Sequence, residues 1–220
     1  GMMDTILNLG LNDSSVKLLA QFTSNERFAY DSYRRFIEMF SNVVADIPRI
    51  EFERLLDKVK TDKNYKTDSE LTVSDLKLLI DKYKKIYFNF QKSDFPEDSI
   101  RQLFLAVEAV FRSWDNPRAV TYRNLHNISH DIGTAVNIQA MVFGNMGETS
   151  GTGVLFTRNP INGNDELFGE YLINAQGEDV VAGTRTPAEI SELKRGFPNI
   201  YEELSNISKK LEEYFKDIQD

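Results

Sequence analysis

An α+β fold in two blocks is what this sequence predicts, on three observations. Apolar residues recur at helical spacing almost throughout residues 12–126. The pattern changes near Gly133, where Val136, Ile138, Ala140 and Val142 alternate with other side chains as in a half-buried strand. Helical spacing returns after Pro187. These patterns define a helical block at about 12–95 and an α/β block at about 96–220, to which residues 1–11 are assigned.

Phe28, Tyr33, Phe36, Ile37, Phe40, Val43 and Val44 lie on one helical face, and Thr23 with Glu26 has the spacing of a capping box before it. Pro48 ends that pattern, and Phe52, Leu55, Leu56 and Val59 mark a short second helix. The polar stretch 61–70 reads as a loop. Thr72 is the expected N-cap of a third helix running through Leu76, Leu79, Ile80, Tyr83 and Tyr87. After Phe95-Pro96, a fourth helix carries Ile100, Leu103, Phe104, Val107, Val110, Phe111 and Trp114, and Asn116-Pro117 bends or ends it. Strands are expected at 136–142, 154–156 and 166–173, joined by loops rich in Gly, Asn and Pro. The last helix bears an apolar seam of Ile200, Leu204, Ile207, Leu211, Tyr214 and Ile218. Three strands make a small sheet, one more comfortable with further strands beside it.

The chain has 220 residues, 41% of them hydrophobic, enough for a sizeable core. It has no cysteine, which excludes disulfides and thiolate chemistry. The start, GMMDTILNLG, has no basic n-region or cleavage pattern, and no stretch of 18 apolar residues occurs, so a cytoplasmic, membrane-free setting is expected. The net charge of −8, concentrated in 161–220, gives no general attraction for nucleic acid.

Walker-type, dinucleotide-binding and nucleophile-elbow motifs are all missing. His126 and His130 stand four apart, but Asn127 occupies the place of the metalloprotease glutamate, so the pair reads as structural or solvent-facing. Gly144, Gly147, Gly151 and Gly153 are denser than a hairpin needs, with Thr149, Ser150 and Thr152 among them. Such a loop can aim successive amides at a phosphate, or simply turn one strand into the next. Glu170, Glu178 and Asp179 follow, acids that suit Mg²⁺ beside a nucleotide or belong to a generally acidic C-terminal region.

Five strings go further: GMMDTILNLGLND (1–13), RFAYDSYRRFI (27–37), FRSWDNPRAVTYR (111–123), GTGVLFTRNP (151–160) and GEYLINAQGEDVVAGTRTP (169–187). Together they resemble the nucleotide-binding domain of the pyruvate, phosphate dikinase family. The resemblance implies a partial ATP-grasp nucleotide-binding domain with an α-helical insertion. It implies that ATP gives its β-phosphoryl group to a histidine on a separate domain, which later phosphorylates pyruvate on another. Mg²⁺ is an implied cofactor, and the full enzyme is expected to be a homodimer. By position, Gln139 and Met141 fall on the adenine-side strand, and Thr152 and Gly153 on the loop nearing the phosphates. Glu170, Glu178 and Asp179 fall on acids facing the ribose or its metals, and Met3 borders the cleft.

The family's glycine-rich lysine segment, its arginine just upstream of the GMMDT stretch, its closing acidic strand and its catalytic histidine motif are not found here. The expectation is therefore an excised part of a phosphotransferase, inactive alone, with neither catalytic nor metal-ligating residues of its own. A fragment of a phosphoenolpyruvate synthase-like dikinase, or a docking module built on the aromatic helical block, are the alternatives.

Overall fold

The computed structural model describes residues 2–181, 183 and 185–220; the side chains of Glu178 and Val181 lie outside that description. The chain packs as two compact units, Gly1–Met141 and Val142–Asp220.

The first unit holds α1 (Ser15–Thr23), α2 (Glu26–Ala45), α3 (Ile50–Lys63), α4 (Val73–Gln91), α5 (Ser99–Arg112) and α6 (Pro117–Leu125). Helix α2 is the central element, packing on α1, α4 and α5, while α3 packs on α4. Most of its expected face is buried: Tyr33, Phe36, Ile37 and Phe40 form one core with Leu76, Leu79 and Tyr83 of α4 and Phe52 of α3, Phe28 is buried as well, and Val43 and Val44 are half-buried. Aromatic edges set the packing. Phe95 meets Phe36, Phe40 and Tyr87 at centroid distances of 5.8, 5.4 and 5.3 Å, and Phe52 meets Tyr83 at 4.9 Å. The aromatic stripe of α2 is core, while Phe22, Phe88 and Phe90 of the same block are exposed.

The capping signals partly hold. Thr72 caps α4 in a reciprocal box with Asp75. The box expected from Thr23 and Glu26 does not form: Asn25 caps α2 by accepting from Phe28 N, and Thr23 Oγ1 donates to Leu19 O at the end of α1. Within the stretch read as a loop, α3 runs on to Lys63 and a 3₁₀ turn forms over Asp68–Glu70. The fourth helix stops at Arg112, and Trp114 lies in a 3₁₀ turn.

Buried charge is paired. Arg34, on α2, reaches Asp31 at 2.9 Å and both Glu38 and Asp68 at 3.4 Å. Burial opposes the charge on each partner, yet the mutual attraction wins, so Asp31 titrates below and Arg34 above the usual range.

The second unit holds an antiparallel sheet of order β1-β2-β3: β1 (Gly151–Phe156), β2 (Phe168–Ile173) and β3 (Ala188–Glu189). Helix α7 (Gly177–Val181) follows β2, and α8 (Ile190–Gly196) and α9 (Pro198–Phe215) follow β3. The α+β class is thus observed. The strand expected at 136–142 is not: the segment has no regular structure, and Ile138 and Val142 are 66% and 85% exposed. Alternation fits a strand to a half-buried surface, but a strand forms only against a hydrogen-bonded neighbour, and none pairs with it among the described residues.

Candidate functional site

The anticipated site residues divide between the units. In the second, Thr152 and Gly153 lie on β1, Glu170 on β2, and Glu178 and Asp179 on α7. The register sets Thr152 opposite Leu172 and Val154 opposite Glu170. With side chains alternating, Thr152 and Glu170 therefore share a face of the sheet. Helix α7 begins beside Thr152: a Cβ built on Gly177 would lie 3.9 Å from Thr152 Oγ1.

The glycine amides face outward. Asn174 N donates to Ser150 O at 2.8 Å, which makes 150 and 174 a hydrogen-bonded pair. Antiparallel pairs alternate, so Thr152 and Leu172 exchange the next bonds, and the N–H groups of Gly151 and Gly153 point away from β2. They face the outer edge of β1, where Thr157 N donates to Gln219 O at 2.9 Å. Gly153 is also required for packing, since a Cβ there would meet Glu170 O at 2.6 Å and Tyr171 Cβ at 3.0 Å. At such a sheet edge, amides beside a threonine hydroxyl can receive an anion. The carbonyls of Gly151 and Gly153 face the same edge, and Gly144 lies against that of Gly151, which leaves the Gly153 end the more open.

The acids behave differently from one another. Glu170 is exposed. Asp179 Oδ2 accepts from Gln176 N at 2.9 Å and Asp179 N donates to Gln176 O at 2.9 Å, so this carboxylate shapes the first turn of α7. The side chain of Glu178 lies outside the described residues. Among the described residues no three acidic or histidine side chains gather to hold a metal ion.

In the first unit, Met3 is half-buried in an irregular segment, 2–7, and Gln139 and Met141 lie in the irregular stretch 134–143, Gln139 exposed. The two histidines do not converge on a shared ligand. His126 stacks on Tyr122 at 4.2 Å, while His130 Nδ1 accepts from Arg123 Nε at 2.9 Å.

Two features escaped the sequence reading. Gln176 is buried, donates to Asn145 Oδ1 at 3.3 Å, and its Oε1 accepts no hydrogen bond among the described residues. Its glutamine stood unremarked beside the acids, and no spacing rule marks a buried amide. An open depression in the second unit is lined by Arg158, Asp165, Lys209, Glu212, Lys216 and Asp217. None of the anticipated residues lines it. Arg158 is already engaged by Glu212, and charges of both signs alternate there, so it offers no coherent field for a polyanion.

Comparison with known proteins gives a consistent result. A family model described as "Pyruvate phosphate dikinase, AMP/ATP-binding domain" matches residues 1–220. The chain is 56% identical to pyruvate, phosphate dikinase of Clostridium symbiosum, over 100% of this chain and 25% of that protein. It is 57% identical to the chloroplastic pyruvate, phosphate dikinase of Mesembryanthemum crystallinum, over 100% of this chain and 23% of that protein. The chloroplastic pyruvate, phosphate dikinase 1 of Arabidopsis thaliana matches at 56%, again over 100% and 23%. The chain thus spans about a quarter of the length of the curated relatives it matches.

Proposed function

Because this chain belongs to the pyruvate phosphate dikinase AMP/ATP-binding domain family, we propose that it supplies the ATP site of a larger phosphotransferase. That enzyme interconverts ATP, phosphate and pyruvate with AMP, pyrophosphate and phosphoenolpyruvate through a phosphohistidine. The observation that carries this reading is the pair of outward glycine amides, Gly151 and Gly153, on either side of Thr152. Fixed amide dipoles at a developing phosphoryl charge are the part of such catalysis that a backbone can supply.

In this reading the fold is a partial ATP-grasp domain, with 12–95 as its helical insertion and 96–220, with 1–11, as its nucleotide-binding part. Gln139 and Met141 offer backbone groups to the adenine, and Met3 borders the same cleft. Thr152 and Gly153 approach the phosphates. Glu170, Glu178 and Asp179 form the acidic side facing the nucleotide ribose or its Mg²⁺, which would neutralise phosphate charge when bound. The partners are ATP and the phosphohistidine and pyruvate-binding domains of the whole protein, a homodimer of the cytoplasm. The 220-residue chain alone is expected to bind ATP weakly and transfer nothing.

The test uses the whole protein, ATP labelled at the β-phosphate, and inorganic phosphate, which takes up the γ-phosphoryl group as pyrophosphate. Label should appear on a histidine and leave as phosphoenolpyruvate when pyruvate is added; an unlabelled protein would sink the reading. Thr152→Val should raise the ATP dissociation constant by about fivefold, the worth of one ordinary hydrogen bond. An unchanged constant, by calorimetry, would remove Thr152 from the site.

A further inference from the structure

The string Ser113-Trp-Asp-Asn-Pro-Arg118 had only one anticipated structural role, to break a helix at Asn116-Pro117. Its side chains do more. Segment 2–7 has no regular structure, so no helix or strand ladder holds its backbone. Leu7 N donates to Met39 Sδ at 3.1 Å, and Asp4 holds the part of the segment beside Met3. The Asp4 amide donates to Ser113 Oγ at 3.1 Å, and that buried hydroxyl passes its own proton to Val110 O at 2.7 Å. The Asp4 carboxylate then accepts from Asn116 Nδ2 at 2.9 Å and from Arg118 Nη2 at 3.0 Å.

Asn116 stands at the N-cap of α6, where an asparagine oxygen normally accepts from the helix's first amides. It makes no such bond, and its amide goes to Asp4 instead. The carboxylate also lies near the positive end of the α6 dipole, which favours an anion there.

The far end of the same element holds a second segment. Arg123 is 1% exposed, with its guanidinium 3.8 Å from the centre of the Trp114 ring. It donates to Trp114 O at 2.6 Å and to His130 Nδ1 at 2.9 Å. Since Nδ1 accepts, His130 carries its proton on Nε2, facing Asn124 Oδ1 at 3.0 Å. Trp114 Nε1 closes the loop by donating to His130 O at 3.3 Å. His130 opens the turn that leads through Gly133 into the stretch bearing Gln139 and Met141.

We infer that residues 113–125 are a bracket that positions both nucleotide-facing edges of the first unit. Asp4, Asn116 and Arg118 fix the Met3 segment; Arg123, Trp114 and His130 fix the entry to Gln139 and Met141. All are positioning residues, and the inference rests on the ATP reading given above. Their effect is on where backbone groups sit, and small misplacements of such groups are costly to a bound reactant.

Arg118→Ala in the whole protein is the test, because this side chain is 65% exposed and its loss leaves the core intact. The expected result is a rise in KM for ATP of about tenfold. Exchange between pyruvate and phosphoenolpyruvate, which needs no nucleotide, should stay at the wild-type rate. Arg118→Lys, retaining the charge, should recover most of the affinity. An unchanged KM for ATP would overturn the inference, as would an equal fall in both half-reactions, the mark of a merely structural role. A wild-type protein that forms no phosphoenzyme from ATP would instead overturn the functional reading, and the bracket's purpose with it.

Discussion

Asp75 serves three neighbours, Thr72, Lys63 and Tyr65, with one carboxylate. Its Oδ2 accepts from Thr72 N at 3.1 Å and Thr72 Oγ1 at 2.6 Å, closing the box that starts α4, and its Oδ1 takes the Lys63 ammonium at the end of α3. Burial alone would raise its pKa. The bonds from Lys63 and Thr72 outweigh that and hold it down at about 2, against 3.8 for a free side chain. A folded-state pKa below the unfolded value contributes stability that is present above about pH 4 and lost as pH falls toward 2. Asp75→Asn should therefore lower the urea midpoint at pH 7 and flatten its fall between pH 4 and pH 2.5. Parallel acid profiles for the two proteins would show that Asp75 does not carry this dependence. The capping half of this arrangement was legible, because Thr72 and Asp75 are local. The Lys63 half was not, since no local rule brings the end of one helix to the start of the next. Gln102 makes the same point. It is sealed in the core, accepting from Gly10 N at 3.0 Å and donating to Leu11 O and Pro96 O at 3.1 and 2.7 Å, and it pins a segment about ninety positions away.

The β1–β2 ladder shows where glycine is a packing requirement. A Cβ on Gly153 would stand 2.6 Å from Glu170 O, and backbone there has nowhere to retreat. A Cβ on Gly151 would meet Leu172 O at 3.0 Å and Ile173 Cδ1 at 3.5 Å, a contact that a small shift relieves. Gly153→Ala should thus cost about 1–3 kcal/mol of stability, the usual range for overpacking, and Gly151→Ala clearly less. Equal losses in thermal melts would mean that strand separation, rather than this one close approach, governs the ladder. Glycine density was visible in the sequence, but the close-approach and amide-direction roles became separable only through the register. Helices α2, α3, α4 and α5 were readable because each buries one apolar face, α4 and α5 against α2 and α3 against α4. β3 is two residues long, and α7 is set by a reciprocal turn between Gln176 and Asp179; neither is long enough to display a period.

At the scale of the whole molecule, segments differ in how their backbone is protected, even within the first unit. The core around α2 and α4 buries aromatic rings from several helices, whereas 134–143 joins no sheet among the described residues. Amides in a packed core exchange with solvent only through large openings, and those of an unladdered, exposed stretch exchange almost freely. Hydrogen exchange on the 220-residue chain should therefore complete across 134–141 well before the interior turns of α2 begin. The alternation of Val136, Ile138, Ala140 and Val142 has no paired strand beside it among the described residues. If Gln139 and Met141 present their backbone to an adenine, exchange at 138–141 in the whole protein should slow by about tenfold or more on adding ATP, an opening penalty of over 1 kcal/mol. The rate at α2 should not move. Slowing at 151–153 without any at 138–141 would keep the phosphate end of the site and discard the adenine end, because the two depend on different segments. No slowing at either would leave the sheet's outward glycine amides as edge geometry alone.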